Sequence, residues 1–165
     1  MLIVAKDRLL ALSDIIGSYD SIAEIKGADL VGARYRSVFS LIPGSKMAPM
    51  EIIAASHVTS ESGSGLVHCA PAHGAEDYLA FRALGLLQGS KDIICHVDDS
   101  GKFSPDVAHV IGHEAAQILV GQEVLKGGSK AIIKLLESTE SLMKVQKIKH
   151  RYPYDWKTGE PIIVT

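Results

Sequence analysis

Gly63-Ser-Gly-Leu-Val-His-Cys-Ala-Pro-Ala-His-Gly-Ala-Glu-Asp-Tyr78 joins a glycine pair, two histidines and an acidic pair in one short stretch, a density of chemical groups that the rest of the chain does not match. Gly63 and Gly65 permit tight turning or close approach to the backbone, and Leu66-Val67 then reads as a short buried strand. His68 leaves that strand and Pro71 ends it. Pro71-Ala-His-Gly74 has turn composition, and from there the apolar spacing over 75–87 is helical, with Tyr78, Leu79, Phe81, Leu84 and Leu87 available to a core. Glu76 and Asp77 therefore fall in the first helical turn, where the macrodipole favours carboxylates. On spacing alone, helix-start electrostatics accounts for both without any chemistry.

Outward from this stretch the pattern is mixed. Residues 2–5 read as a strand and 7–16 as a helix closed by Gly17. Strands are expected over 21–26, 33–40, 50–55, 66–70 and 93–97, with Pro43-Gly44 and Pro49 marking loop or edge, and Asp98-Asp-Ser-Gly101 a turn. Residues 130–142 have helical spacing, with Ile132, Ile133, Leu136 and Leu142 on one face and Lys134 and Glu137 outward. Residues 112–115 and 121–129 read as polar or Gly-rich loops, and 115–120 as a helical turn. Short strands broken by turns, with a few helices, predict an α+β fold: a barrel-like, curled β-sheet core with packed helices.

Composition bounds the function. A chain of 165 residues, 47% hydrophobic, has enough apolar material for one substantial core, and no internal repeat or low-complexity tract divides it. A net charge of -2 argues against a general nucleic-acid-binding surface. The one basic cluster, Lys144, Lys147, Lys149, His150 and Arg151, is either a local phosphate contact or a solvated surface. Cys69 and Cys95 are too few and too separated for a disulfide framework or a Cys-rich zinc site, and Cys69 reads as a buried, inert thiol. No segment has the roughly 18 to 20 uninterrupted apolar residues of a membrane span, so no membrane partner is expected.

The opening stretch resembles the Gly-Thr-Gly-x-Val-His-x-Ala-Pro-x-His-Gly-x-x-Asp-Tyr pattern of the editing domain inserted in isoleucyl-tRNA synthetases. Downstream, His150-Arg-Tyr-Pro-Tyr-Asp-Trp-Lys-Thr-Gly-Glu-Pro-Ile162 is similar to the segment by which that insert returns to the catalytic domain. Ile3-Val-Ala-Lys-Asp-Arg-Leu9 and Val97-Asp-Asp-Ser-Gly-Lys-Phe103 extend the resemblance over nearly the whole chain. Valyl editing domains are the nearest alternative, but tend to carry Lys where this chain has His68 and His-Asp where it has His73-Gly74. The resemblance implies that 1–165 is a partial editing domain and 150–165 a return segment. It is nearer to the organellar and bacterial branch, which implies the mitochondrial matrix for a full-length parent, with the cytoplasm as the alternative.

What the resemblance implies chemically is hydrolysis of the ester that joins a wrongly attached valine to the 3′ end of tRNA(Ile), with the parent catalytic domain as the second partner. The editing domain itself is expected to need no cofactor and no metal; ATP and Mg belong to the parent enzyme. Isoleucyl synthetases are the standard illustration of the underlying limit: one methylene in an apolar pocket is worth about 1–3 kcal/mol, too little for protein synthesis without a second hydrolytic site.

The implied site residues follow the motif. Asp77 takes the position whose carboxylate holds the substrate ammonium, and His68 the position that lines the amino-acid pocket and rejects isoleucine by bulk; these two carry the editing function. His73 is placed to donate to the ester carbonyl or ribose, or else to rigidify its loop. Gly63, Ser64 and Gly65 let backbone approach the terminal adenosine, Ser64 standing where Thr is usual. Family members also carry a Thr-Thr-x-Pro-Trp-Thr-Leu-Pro segment ahead of the region that begins here with Met1-Leu-Ile-Val-Ala, giving the expectation that half of the cleft is absent and the chain alone inactive.

Two other classes compete. His57, His68, His73, Glu76 and Asp77 supply enough imidazole and carboxylate for a zinc hydrolase, but His68 and His73 lie five apart across a proline, unlike a helical His-x-x-x-His pair. A non-catalytic RNA-binding or packing module is the other, with residues 152–156 docking on a parent domain through aromatic anchors; Trp156 is equally readable as core.

Overall fold

The computed structural model describes residues 2–147 and 151–164, so Met1, Lys149 and His150, which enter the readings above, lie outside the described residues. The chain gathers into two compact units, one formed by Met1–Tyr35 with Met50–Asp92, the other by Arg36–Pro49 with Ile93–Thr165.

In the first unit, a 3-10 turn at Lys6–Arg8 runs into helix α1, Leu9–Ile16, which stops at Gly17 as the sequence predicts. Strand β1, Arg34–Tyr35, pairs antiparallel with β2, Met50–Glu51, placing Arg34 opposite Glu51 and Tyr35 opposite Met50. Ala33 and Ile52 prolong the pairing, because Gly32 donates to the Ile52 carbonyl and Ile52 to that of Ala33, both at 2.9 Å. Helix α2, Ala75–Ala83, begins where predicted but ends before residue 87. Its terminus has the double bond of a left-handed glycine stop: Leu86 N–H reaches the Phe81 carbonyl at 2.9 Å and Gly85 N–H the Arg82 carbonyl at 3.0 Å. The apolar spacing alone ran past that stop.

The second unit is built on helices. Helix α3, Ala108–Ile111, α4, His113–Leu119, and α5, Ser129–Ser138, contribute to a buried cluster of Ile42, Val107, Ile111, Ala115, Ala116, Leu119, Ala131 and Leu135. Phe39, Phe103 and Ile132 pack against it. The expected loop at 112–115 is instead the joint between α3 and α4. Gly112, at φ +86°, breaks one helix and starts the next, and a Cβ there would stand 2.8 Å from the Gly44 carbonyl oxygen. That close approach lets the Pro43-Gly44 loop dock, with Lys46 N–H and the Ser45 hydroxyl both donating to the Val110 carbonyl. Within the loop expected at 121–129, Val124–Gly128 closes a π-helical turn. In α5 the buried face runs through Ala131 and Leu135 rather than Ile133 and Leu136, one residue out of the predicted register, while Lys134 and Glu137 are exposed as predicted. The helix stops short of 142 as α2 stops: Glu140 turns left-handed at φ +54°, Ser141 N–H reaches the Leu136 carbonyl at 2.9 Å and Glu140 N–H that of Glu137 at 3.0 Å.

Mixed helix and sheet is thus the observed class, but a closed, barrel-like sheet is not formed among the described residues. There the named sheet has two strands, supplemented by single bridges at Val97–Phe103, Lys102–Glu123 and Tyr154–Pro161. Residues 2–5, 21–26 and 66–70 form no strand, and 38–41 form a 3-10 turn capped by the Ser37 hydroxyl. Apolar, β-branched runs make a strand only when a neighbour supplies the ladder bonds, and sequence pattern does not specify that neighbour. No helix among the described residues is long and apolar enough to cross a membrane.

Candidate functional site

Asp77 is where the first unit concentrates its polar bonds. The turn before α2 is closed by the Ala70 carbonyl, which accepts from both His73 N–H and Gly74 N–H at 2.9 Å. This reversal aims the Ala70 N–H at the helix start, where it donates to Asp77 Oδ2 at 2.9 Å. Gly74 makes room for that contact, since a Cβ on it would lie 2.7 Å from the same oxygen. The other carboxylate oxygen, Oδ1, is 2.9 Å from Nε2 of His57, which sits on a turn twenty residues upstream. An ionised carboxylate only accepts, so the His57 ring donates from Nε2. The Cys69 Sγ lies close by, within 4.8 Å of ligand atoms on both His57 and Asp77.

These contacts fix the charge. Burial, with the side chain 13% exposed, pushes the Asp77 carboxyl upward; the Ala70 N–H, the Cys69 thiol and the His57 ring together outweigh it and hold the group below its ordinary 3.8. Asp77 is therefore anionic at neutral pH. Cys69 moves the opposite way, because burial and then the neighbouring Asp77 charge raise its thiol above 9.0. It is half-buried rather than buried, and protonated at neutral pH, which makes it a poor nucleophile. The Ala70 N–H and the His57 ring occupy two of the carboxylate's about four lone-pair sites, which leaves room for a further donor.

The other sequence-predicted residues are distributed around this centre. His68 is exposed on the extended run before Pro71, and the buried strand expected at Leu66-Val67 is an exposed, unpaired segment. His73 is exposed on the turn, its backbone N–H serving the Ala70 carbonyl. Glu76 is exposed on α2. The Gly63–Gly65 loop is folded against the chain's own early residues: Ala5 N–H donates to the Ser64 carbonyl at 2.7 Å, and Arg8 reaches the carbonyls of Gly63 and Glu61. Gly65, at φ +80°, could not accept a side chain, because its Cβ would collide with that of Ala5. The glycine there serves an internal contact. His57 is the residue that sequence reasoning counted among the imidazoles but did not join to Asp77; no spacing rule links residues so far apart on separate turns.

A cleft of about 310 Å³ lies in the second unit, and none of these residues lines it. Asp98, Asp99, Glu123 and Glu160 line it with Lys126, but Lys126 is already paired with Glu123 at 2.7 Å, and the lining holds no imidazole or thiol. The cleft thus lacks reactive groups, and the His57–Cys69–Asp77 cluster has the better claim. Trp156 is 86% exposed, with the Lys157 ammonium 5.3 Å from its ring centre, which overturns its reading as core.

No family model matches the chain. It is 39% identical over 163 residues to the isoleucine–tRNA ligase of Thermosynechococcus vestitus, 98% of this chain and 15% of that protein. It is 35% identical over 164 residues to the isoleucine–tRNA ligase of Prochlorococcus marinus, covering 99% of this chain and 15% of that protein. The mitochondrial isoleucine–tRNA ligase of Gallus gallus is 36% identical over 164 residues, with the same two coverages. The chain spans about 15% of the length of these curated relatives.

Proposed function

We propose that this chain, which belongs to the isoleucine–tRNA ligases as a segment of that family, is part of their proofreading insert and acts on valine wrongly esterified to tRNA(Ile). The supporting observation is the Asp77 carboxylate, ionised and aimed by Ala70 N–H and His57 at the motif position that such inserts use for the substrate ammonium. A charge-assisted hydrogen bond there orients the ester for attack. Water adds to the ester carbonyl, the carbonyl–ribose oxygen bond breaks, and the ribose oxygen leaves with a proton. His68, exposed beside the cluster, supplies selectivity by occupying the space that isoleucine's extra methylene needs. His73 lies on the turn that feeds α2 and faces the ester or ribose, and the Gly63-Ser64-Gly65 loop meets the terminal adenosine through its outer backbone.

With this reading go the wider assignments: 1–165 as a partial editing domain, 150–165 as the return to the parent catalytic domain, and ATP and Mg at the parent's synthetic site. In this reading the parent's address is the mitochondrial matrix, with the cytoplasm as the alternative, and the relatives include bacterial and mitochondrial forms. All the relatives described above carry the isoleucine name, which favours this reading over a valyl insert.

The test is release of amino acid from valyl-tRNA(Ile) and isoleucyl-tRNA(Ile) by the 165-residue chain. Selective release of valine, lost in Asp77→Ala, is expected. A folded chain that releases neither, and a full-length parent whose editing is indifferent to Asp77→Ala, would together remove the assignment. A non-catalytic packing or RNA-binding module is the second reading. It is favoured by the exposure of Trp156 and Tyr154 next to exposed Arg151, with Lys144 and Lys147 exposed just upstream.

A further inference from the structure

The cluster around Asp77 has a second capability that does not depend on the editing reading. We infer that His57 Nε2, Cys69 Sγ and an Asp77 oxygen form a three-ligand site for a divalent cation of the zinc class. The three side chains come from separate places, the turn at residue 57, the extended run before Pro71 and the first turn of α2, yet their ligand atoms all lie within 4.8 Å of one another. Among the described residues this is the group of His, Cys, Asp or Glu with that convergence.

The distances suit zinc. Bonds of about 2.0–2.3 Å at tetrahedral angles place neighbouring ligand atoms roughly 3.3–3.8 Å apart. The 2.9 Å between His57 Nε2 and Asp77 Oδ1 must therefore open slightly, and the widest separation in the group must close by about 1 Å, which side-chain rotation supplies. The donor set suits it as well. A thiolate with an imidazole and one carboxylate selects zinc or cobalt over magnesium or calcium, which prefer oxygen throughout. The site also has a supporting shell: Ala70 N–H holds Asp77 Oδ2, leaving Oδ1 for the ion, and metal-binding carboxylates are commonly oriented by such a bond. Three protein ligands leave a fourth position for water. On binding, the thiol proton leaves to solvent, and the proton that His57 carries on Nε2 is exchanged through water onto Nδ1, so that Nε2 presents its lone pair. Asp77 is common to both roles, so an ion here and an aminoacyl ammonium exclude each other, a corollary that rests on the proposed function.

Titration of the reduced, metal-free chain with cobalt(II) tests the site in the absence of tRNA. Expected are one ion per chain, a near-ultraviolet thiolate-to-cobalt absorption, the visible bands of tetrahedral cobalt, and displacement by zinc. Cys69→Ser should abolish the thiolate band, and His57→Gln should weaken binding about tenfold or more, each with unchanged far-ultraviolet circular dichroism. Cys95→Ser and His109→Ala should leave the titration unchanged. A folded chain with no thiolate band at saturating cobalt, or a band that survives Cys69→Ser and disappears in Cys95→Ser, would overturn the proposal. Loss of valine-releasing activity would not affect it.

Discussion

The two units are held together by different physics. The second buries an apolar cluster in which Leu119 is 1% exposed, and its three helices present the small and branched residues that fill it. In the first, among the described residues, Leu87 alone falls in the buried apolar set, while Leu10, Ile22, Leu79 and others face outward. What organises the first unit is directional: Arg8 on the Gly63 and Glu61 carbonyls, Ser60 on Asp7, and Asp77 between Ala70 and His57. Area burial is insensitive to pH and tolerant of small shifts, whereas hydrogen-bonded clamps depend on protonation and on individual atoms. The difference teaches that the chemically dense unit carries the weaker apolar foundation, as expected of regions that open locally.

The comparison breaks most sharply at Leu119. Leu119→Ala should cost about 2–5 kcal/mol by leaving a cavity, read by urea unfolding, with amide exchange accelerating first in the second unit. If exchange rises equally in both units, the contrast drawn here is wrong. Gly112→Ala should follow at about 1–3 kcal/mol, from a strained backbone conformation together with the Gly44 contact.

In the first unit the largest expected effect is at Asp77. Asp77→Ala leaves the Ala70 N–H and the His57 ring without their acceptor, at about 1–2 kcal/mol, with exchange rising near residues 70–83 and little changed in the α3–α5 region. The pH dependence has a definite sign. Because the folded state lowers this carboxyl, its contribution is full above the ordinary 3.8 and is lost as pH falls below that value through the lower folded one. Unfolding midpoints of the wild-type chain and Asp77→Ala should therefore converge in acid; a constant gap down to low pH would show that the carboxylate charge contributes nothing. At the small end, Lys6→Gln breaks an ion pair with Glu24 whose two side chains are largely exposed, and no resolvable change in midpoint is expected.

Much of the first unit was legible locally. Gly17 ends α1, and the Pro71-to-Gly74 turn delivers Glu76 and Asp77 into the first turn of α2, because caps and turns depend on residues adjacent in sequence. The strands fared worse: residues 66–70 had the right composition but no partner, and 38–41 had a serine whose hydroxyl could cap a turn instead. Residues 112–115 read as a loop, whereas Gly112 joins two helices, since that joint depends on a backbone approach from Gly44, sixty-eight positions away. Helix α5 was found one residue out of register because its inner face is chosen by what it packs against.

By itself, the sequence determined the family resemblance, the start of α2 with its acidic first turn, and the ionisable groups available to a site. Those are properties of residue identity and near-neighbour spacing. Only the tertiary structure decided that Asp77 is gripped by His57 and Ala70, that Cys69 joins them, and that the Gly63–Gly65 loop closes on Ala5. Such pairings form between segments distant along the chain, where each partner's identity permits many contacts and only the folded geometry selects one.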